Sequence, residues 1–152
     1  RLLTIGLGVG LLYYGILRGA NALIVGIHSY ALRSISIMNG TIDLTLNFII
    51  KNPLFVGLTL RGIKGDIYIQ GVNVGGVNMQ YDYFISGGHT HVIPVVATLQ
   101  AMEIGSAALA NIQSGNVQSL TIAFDGHIYI SKYNVPVPVQ ITLDWGDLQN
   151  GK

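Results

Sequence analysis

Cysteine is absent from the 152-residue chain, and charged residues make up only 10% of it. Without cysteine the chain has no disulfide bond, thiolate metal site or cysteine nucleophile. Its eight basic and seven acidic side chains give a net charge of +1, and the basic residues form no cluster. We therefore expect no nucleic-acid partner, because the chain lacks the positive field that attracts phosphates.

Recognisable catalytic motifs are missing too. The sequence contains no Gly-x-Ser-x-Gly elbow, Walker loop or His-Glu-x-x-His motif, and its acidic residues are scattered singly. In Asp125-Gly126-His127 a carboxylate could orient an imidazole for acid/base chemistry. The triplet is more typical of a turn or bulge in which the glycine supplies a positive φ. We predict that the protein is not an enzyme and needs no cofactor.

His89 and His91 are the strongest candidates for metal ligands. Positions i and i+2 of a strand share one face, and imidazole is a common ligand of zinc and copper. Two ligands do not make a site, and nothing in the sequence brings His28, His127 or Asp125 to them. We expect no bound metal.

Half of the residues are hydrophobic, and the mean hydropathy is +0.51. Soluble domains usually carry about a quarter charged residues, so the surface of this chain is short of charge. The length suffices for one domain with a core. The composition favours a protein that contacts lipid or other protein subunits.

The N-terminal segment carries the longest apolar run. No residue from Leu2 to Leu17 is charged, and Arg18 closes the run. These sixteen residues fall short of the roughly 20 that span a bilayer core, but Arg18 could extend the segment by snorkelling. We predict an apolar helix over residues 1–21, a single-pass anchor whose positions 2–17 contact membrane lipid or neighbouring subunits.

Five glycines punctuate this segment at spacings that suit close helix packing. The pairs Gly6 and Gly10, and Gly15 and Gly19, are each four residues apart, and Gly8 shares a helical face with Gly15 and Gly19. We predict helix-packing positions at these five glycines, and a homo-oligomer or a larger assembly. Alternatively, residues 1–22 are a removable signal peptide with a small-residue cleavage site at its end. A nucleotide-binding glycine loop is rejected, because no strand precedes the segment.

Residues 41–51 alternate between apolar and polar side chains, which predicts a half-buried strand that ends at Asn52-Pro53. Asn52 and Pro53 are the turn that we expect to specify the fold. Six further strands are predicted, at about 22–38 (or from 29), 56–70, 72–86, 89–95, 117–131 and 135–145. Residues 97–113 predict one amphipathic helix with Leu99, Met102, Leu109 and Ile112 on one side. Ser114-Gly115 is predicted to end this helix.

Seven short strands with one helix favour a β-sandwich over a parallel α/β sheet. The predicted organisation is an anchor over 1–21, a sandwich over 22–148 and a polar tail over 149–152. Trp145 and the eight tyrosines could form a stacking surface for sugars or bases, but aromatic residues in strands more often pack across the sheet.

The order of these features resembles the late-embryogenesis-abundant group 2 (LEA-2) family, also called the water-stress and hypersensitive-response domain. The resemblance runs from about residue 22 to 145. It rests on the alternating strand with Asn52-Pro53, on Gly75-Gly76, on residues 92–95 (VIPV) and 124–129 (FDGHIY), and on 135–138 (VPVP). It implies a seven-stranded antiparallel immunoglobulin-like sandwich with one helix, frequent membrane anchoring and no catalytic residues. Leu54 departs from the polar or aromatic residue common in the family after Asn-Pro.

Three functions are consistent with this sequence. The first is a non-catalytic structural or interaction module, anchored in a membrane or in a multi-subunit assembly such as a membrane scaffold or a virus particle. The second is a carrier whose sandwich binds a lipid or another apolar ligand. The third, a desiccation- or stress-protective protein, follows from the resemblance alone, and it would require a more strongly charged surface.

Overall fold

The computed structural model describes residues 22–36, 38–116 and 120–150. The predicted apolar helix over 1–21, with its glycines Gly6, Gly8, Gly10, Gly15 and Gly19, lies outside these ranges. Within them, no helix is long and apolar enough to cross a membrane.

The described chain is mainly β, with seven antiparallel strands and one α-helix, as predicted. The strands are β1 (Ile24–Ser36), β2 (Thr41–Lys51), β3 (Leu58–Ile69), β4 (Val72–Ile85), β5 (Thr90–Gln100), β6 (Thr121–Ile130) and β7 (Val135–Asp144). The helix, α1, spans Ser106–Ser114, and short 3₁₀ turns occupy Ala101–Glu103 and Trp145–Asp147. Two residues of the predicted polar tail form a short strand, β8 (Gln149–Asn150), which pairs in parallel with β1.

The strands form one curled sheet in the order β7-β6-β3-β4-β5-β2-β1-β8. The curl occurs where β4 and β5 pair at only two positions, Gly75 with Leu99 and Gly76 with Thr98. A Cβ atom on Gly75 would lie 2.1 Å from the Thr98 carbonyl oxygen, so this close approach requires glycine. The sheet becomes a half barrel whose two halves face each other.

The core lies between these two halves. In β2 the inward side chains are all at most 1% exposed: Ile42, Leu44, Leu46, Phe48 and Ile50. This pattern confirms the alternation predicted for residues 41–51. Across the core, the ring of Phe48 meets that of Phe124 from β6 edge to face, with centroids 5.2 Å apart.

The predicted helix over 97–113 is wrong in its first half. Ala97 and Leu99 belong to β5, which pairs with β2 as far as Gln100, and both side chains are buried. A hydrogen-bonded neighbour therefore overrides the local helical composition. Met102 was expected on the buried side but is 92% exposed. The helix begins only after Gly105.

The other end of α1 matches the sequence pattern. Gly115 follows the last helical residue with a φ of 78°, and its N–H bonds back to the carbonyl of Ile112. This left-handed conformation is the usual glycine C-cap. Of the predicted apolar side, Ile112 is buried and Leu109 packs partly against the core.

Leu46 and Thr45 provide a test of the strand phase, since Leu46 is fully buried and Thr45 is half-buried on the other face. We expect Leu46→Asp to lower the free energy of unfolding by at least about 4 kcal/mol, because it buries an unpaired charge. Thr45→Asp should cost less than about 1 kcal/mol. Urea denaturation measures both, and equal tolerance of the two substitutions would contradict the assigned faces.

Candidate interaction surface

One end of the curled sheet collects the start of β1 and three loops. Ile24 pairs with Lys51 at the end of β2, and Lys51 also pairs with Thr90 at the start of β5. The loops 52–57 and 86–89 therefore lie at this end. Loop 131–134 joins them, because the Ser131 N–H donates to the Thr59 carbonyl near the start of β3. We call it the N-proximal end. The opposite end holds α1 and the two 3₁₀ turns, and we call it the helix end.

Asn52 organises the N-proximal end from a fully buried position. Its backbone N–H donates to the carbonyl of His89 at 3.0 Å, and its carbonyl accepts from the N–H of Gly88 at 2.9 Å. Its side-chain amide donates to the carbonyls of Val56 at 2.9 Å and Ile85 at 3.3 Å. These bonds tie loop 52–57 to the loop that joins β4 to β5.

Asn52 also shapes its own loop. Its side-chain Oδ1 accepts the N–H of Leu54 at 3.0 Å, which makes an Asx turn around Pro53. Pro53 is exposed and has no N–H to leave unpaired, so it suits this position. This geometry gives a physical reason for the expectation that Asn52-Pro53 specifies the fold, which stays a prediction.

Large apolar side chains are exposed at the N-proximal end. Phe55 and Val56 project from loop 52–57, and Phe55 is fully exposed. Phe84, itself 60% exposed, lies so close to Gly57 that a Cβ there would meet its ring at 2.0 Å. Ile24 and Tyr133 are exposed at the same end. Soluble surfaces rarely concentrate such side chains without a contact to make.

The charges of the N-proximal end are mostly positive. None of its three loops contains Asp or Glu, whereas Lys51 and Lys132 are exposed there. The Lys132 ammonium lies 5.3 Å from the ring centroid of Tyr133. Nearby, Asp82 is paired with Arg61 at 3.2 Å. At the helix end, by contrast, Glu103, Asp144 and Asp147 are exposed.

The imidazole of His91 is held by two hydrogen bonds. Its Nε2 accepts the backbone N–H of Ser86 at 3.1 Å, and its Nδ1 lies 3.1 Å from the Tyr83 hydroxyl. The Nδ1 of His89 lies 2.7 Å from the Gly87 carbonyl oxygen. Both ring nitrogens of His91 are therefore engaged within the protein. The structure does not bring the two histidines into a set of three potential metal ligands, nor does any other such set occur among the described residues.

Asp125, Gly126 and His127 lie within strand β6, so the expectation of a turn with positive φ is wrong. A Cβ on Gly126 would lie 2.1 Å from the Lys64 carbonyl, so glycine is needed for close approach to β3 rather than for a turn. Asp125 and His127 are both exposed. The nearest polar partner of Asp125 is the amide of Gln140, at 3.5 Å.

Side chains bridge the gap where β4 and β5 separate. The Tyr81 hydroxyl donates to the Pro94 carbonyl at 2.8 Å, and the Val96 N–H contacts the Met79 sulfur at 3.1 Å. Burial raises the pKa of the Tyr81 phenol, which keeps it protonated as a donor. Sequence reasoning did not single out Tyr81 or Met79, because only the separation of the strands creates their role.

The aromatic residues in the described part of the chain do not form one stacking surface. Trp145 is 1% exposed and meets Tyr30 edge to face, with centroids 5.5 Å apart. Tyr68 and Tyr129 are half-buried within strands, as cross-strand packing predicts. Tyr83 and Tyr133 are exposed at the N-proximal end, and Tyr133 lies in a loop rather than a strand.

Two solved structures share this fold. A protein from Archaeoglobus fulgidus superposes with a TM-score of 0.51 at 11% identity, over 78% of this chain and 93% of its own. The solution structure of AT1g01470 from Arabidopsis thaliana gives a TM-score of 0.55 at 9% identity, over 86% and 87%. Such low identities show the fold alone, and it is consistent with a LEA-2-like fold. No family model and no curated protein matches the sequence.

Asn52→Ala should destabilise the N-proximal end, because it leaves the carbonyls of Val56 and Ile85 and the N–H of Leu54 without their partner. We expect a loss of about 3 kcal/mol in the free energy of unfolding. The control is Asn78→Ala, at an exposed asparagine of β4, which should cost within about 0.5 kcal/mol. If urea denaturation gives both variants the same stability, Asn52 does not stabilise the N-proximal end.

Proposed function

We propose that this protein is a non-catalytic interaction module attached to a membrane or an assembly by its apolar N-terminal segment. The observation that carries the proposal is how soon the folded sheet begins after the apolar N-terminal segment ends. The uncharged run ends at Leu17, whereas the core already includes Leu23 and β1 begins at Ile24. Every described strand pairing lies within residues 24–150. We infer that lipid or other subunits cover the apolar run, because an uncharged stretch of this length is costly to leave in water.

We further infer that the sheet is an immunoglobulin-like sandwich of the LEA-2 type. Two facing halves, the buried Asn52 after β2 and the glycine-dependent contact at Gly75 support this assignment. The likeness to the Arabidopsis structure, which extends over most of both chains, also supports it.

The non-catalytic character is supported by the arrangement of polar groups. His91 is hydrogen-bonded on both ring nitrogens, and Asp125 and His127 are exposed on a strand with no hydrogen bond between them among the described contacts. Catalytic sites instead bring a nucleophile or base, its orienting partner and a pocket together.

A shortened chain that begins at Ala22 should remain folded and monomeric, because it retains Leu23 and all described strands. The full chain should sediment with lipid vesicles or as a large oligomer, because removing the apolar run from water is strongly favourable. Vesicle co-sedimentation and analytical ultracentrifugation measure both. A chain that begins at Gly26 is the control for the boundary: it lacks Leu23 and should be less stable. A soluble, monomeric full chain would refute the anchor.

Gly15→Leu and Gly19→Leu test whether the glycines pack subunits together. Leucine blocks close helix approach but favours lipid. We expect each variant to weaken the oligomer in detergent while vesicle attachment is retained, and Leu11→Ile is a conservative control in the same segment. Oligomers that survive both glycine substitutions would rule out packing through Gly15 and Gly19.

A cavity favours apolar-ligand binding as a second candidate function. A space of about 230 Å³ beside α1 is lined by side chains that include Tyr30, Leu44, Ile112 and Trp145. The Trp145 Nε1 is buried without a hydrogen-bond partner in the described part of the chain. An apolar molecule seated among the lining side chains would be largely removed from water. A monomer that carries stoichiometric lipid in mass spectrometry would favour this function over the anchored module.

A further inference from the structure

We propose that the N-proximal end lies against the surface of an anionic lipid bilayer, with Phe55 and Val56 inserted among the headgroups. This inference rests on the proposed function, since it needs the apolar segment to enter the same bilayer. It adds an orientation and a second contact, made by the folded sheet itself.

The first step of the argument is the reach of the chain. Six residues, 18–23, lie between Leu17 and Ile24, so seven residue-to-residue steps join them. A fully extended chain advances at most roughly 3.5 Å per residue, so the start of β1 is within about 25 Å of the end of the apolar run. The headgroup region is on the order of 5–8 Å deep on each side of the hydrocarbon core. If the apolar run occupies that core, this short connection keeps the start of β1, and with it the N-proximal end, close to the headgroups.

The second step is the chemistry of the side chains presented there. Phe55 is fully exposed at the tip of loop 52–57, with Val56 beside it, and Phe84 and Tyr133 are exposed at the same end. Aromatic and aliphatic side chains on a polar support are typical of proteins that lie in the membrane interface. Three backbone groups of this end, the Leu54 N–H and the carbonyls of Val56 and Ile85, are bonded to the Asn52 side chain, which reduces the number of unpaired groups that insertion would carry into the headgroups.

The third step is charge. Lys51 and Lys132 are exposed at the N-proximal end, and its three loops contain no carboxylate. Lysines near an anionic surface attract it. The helix end also exposes large apolar side chains, among them Met38, Val72 and Met102, but Glu103 adjoins Met102. An anionic bilayer therefore favours the N-proximal end over the helix end.

Tryptophan fluorescence in the full chain tests this orientation. Phe55→Trp and the control Met102→Trp each place an indole at a highly exposed position, at opposite ends of the sheet, while native Trp145 is buried and gives a constant background. The chains are reconstituted into phosphatidylcholine–phosphatidylglycerol vesicles with or without brominated acyl chains, which quench tryptophan on contact. We expect brominated lipid to reduce the added emission of Phe55→Trp at least twofold and to leave Met102→Trp unchanged. Pure phosphatidylcholine should give weaker quenching.

The outcomes separate this inference from the anchor. If the chain is bound to vesicles but Phe55→Trp is not quenched, or Met102→Trp is quenched equally, the orientation is wrong and the anchor stands. If the chain does not bind vesicles, the bilayer contact and the membrane anchor both fail, and of the proposed function only attachment to an assembly of subunits is left. If the Phe55→Trp emission shifts to the blue in lipid-free oligomers and brominated lipid has no effect, the surface contacts a second copy of the chain, and the bilayer contact is refuted.

Discussion

The close contact between β4 and β5 is the constraint on which the rest of the structure depends. These strands share only the pairs Gly75–Leu99 and Gly76–Thr98, and a side chain at Gly75 would collide with the partner backbone. Because the sheet pivots there, its two halves can face each other and bury β2 against β6. A flat sheet of the same strands would leave one apolar face in water.

The same pivot explains the polar contacts of the neighbouring region. Beyond Gly76, β4 moves away from β5, and the ladder of backbone hydrogen bonds stops. Side chains replace it: Tyr81 bonds to the Pro94 carbonyl, and His91 is held between Tyr83 and the Ser86 N–H. From the sequence alone, His91 is a candidate metal ligand and the tyrosines are candidates for a stacking surface. In the structure these side chains instead supply hydrogen bonds along the strand edges where the backbone ladder has stopped.

The two ends of the sheet differ in chemistry, although the chain as a whole is nearly neutral. One end combines exposed Phe55, Val56 and Phe84 with exposed lysines, and the other carries Glu103 and Asp147. Net charge hides this polarity, because it sums over both ends. An interaction module with such an axis would present a defined face to a surface and leave its helix end for other contacts.

The sequence by itself determined the strands whose burial is one-sided. Alternation over residues 41–51 predicted the buried face of β2, Asn52-Pro53 predicted its end, and Ser114-Gly115 predicted the end of α1. Each of these features is local, since side-chain period, proline and a left-handed glycine act within a few residues. The tertiary structure alone decided that Ala97 and Leu99 continue a strand, that Gly126 serves close packing, and that Asn52 joins two loops. It also brought residues 24, 55, 84 and 132, which are far apart in the chain, to one end. These outcomes depend on strand partners that are distant in the sequence, and local composition does not indicate which strands will pair.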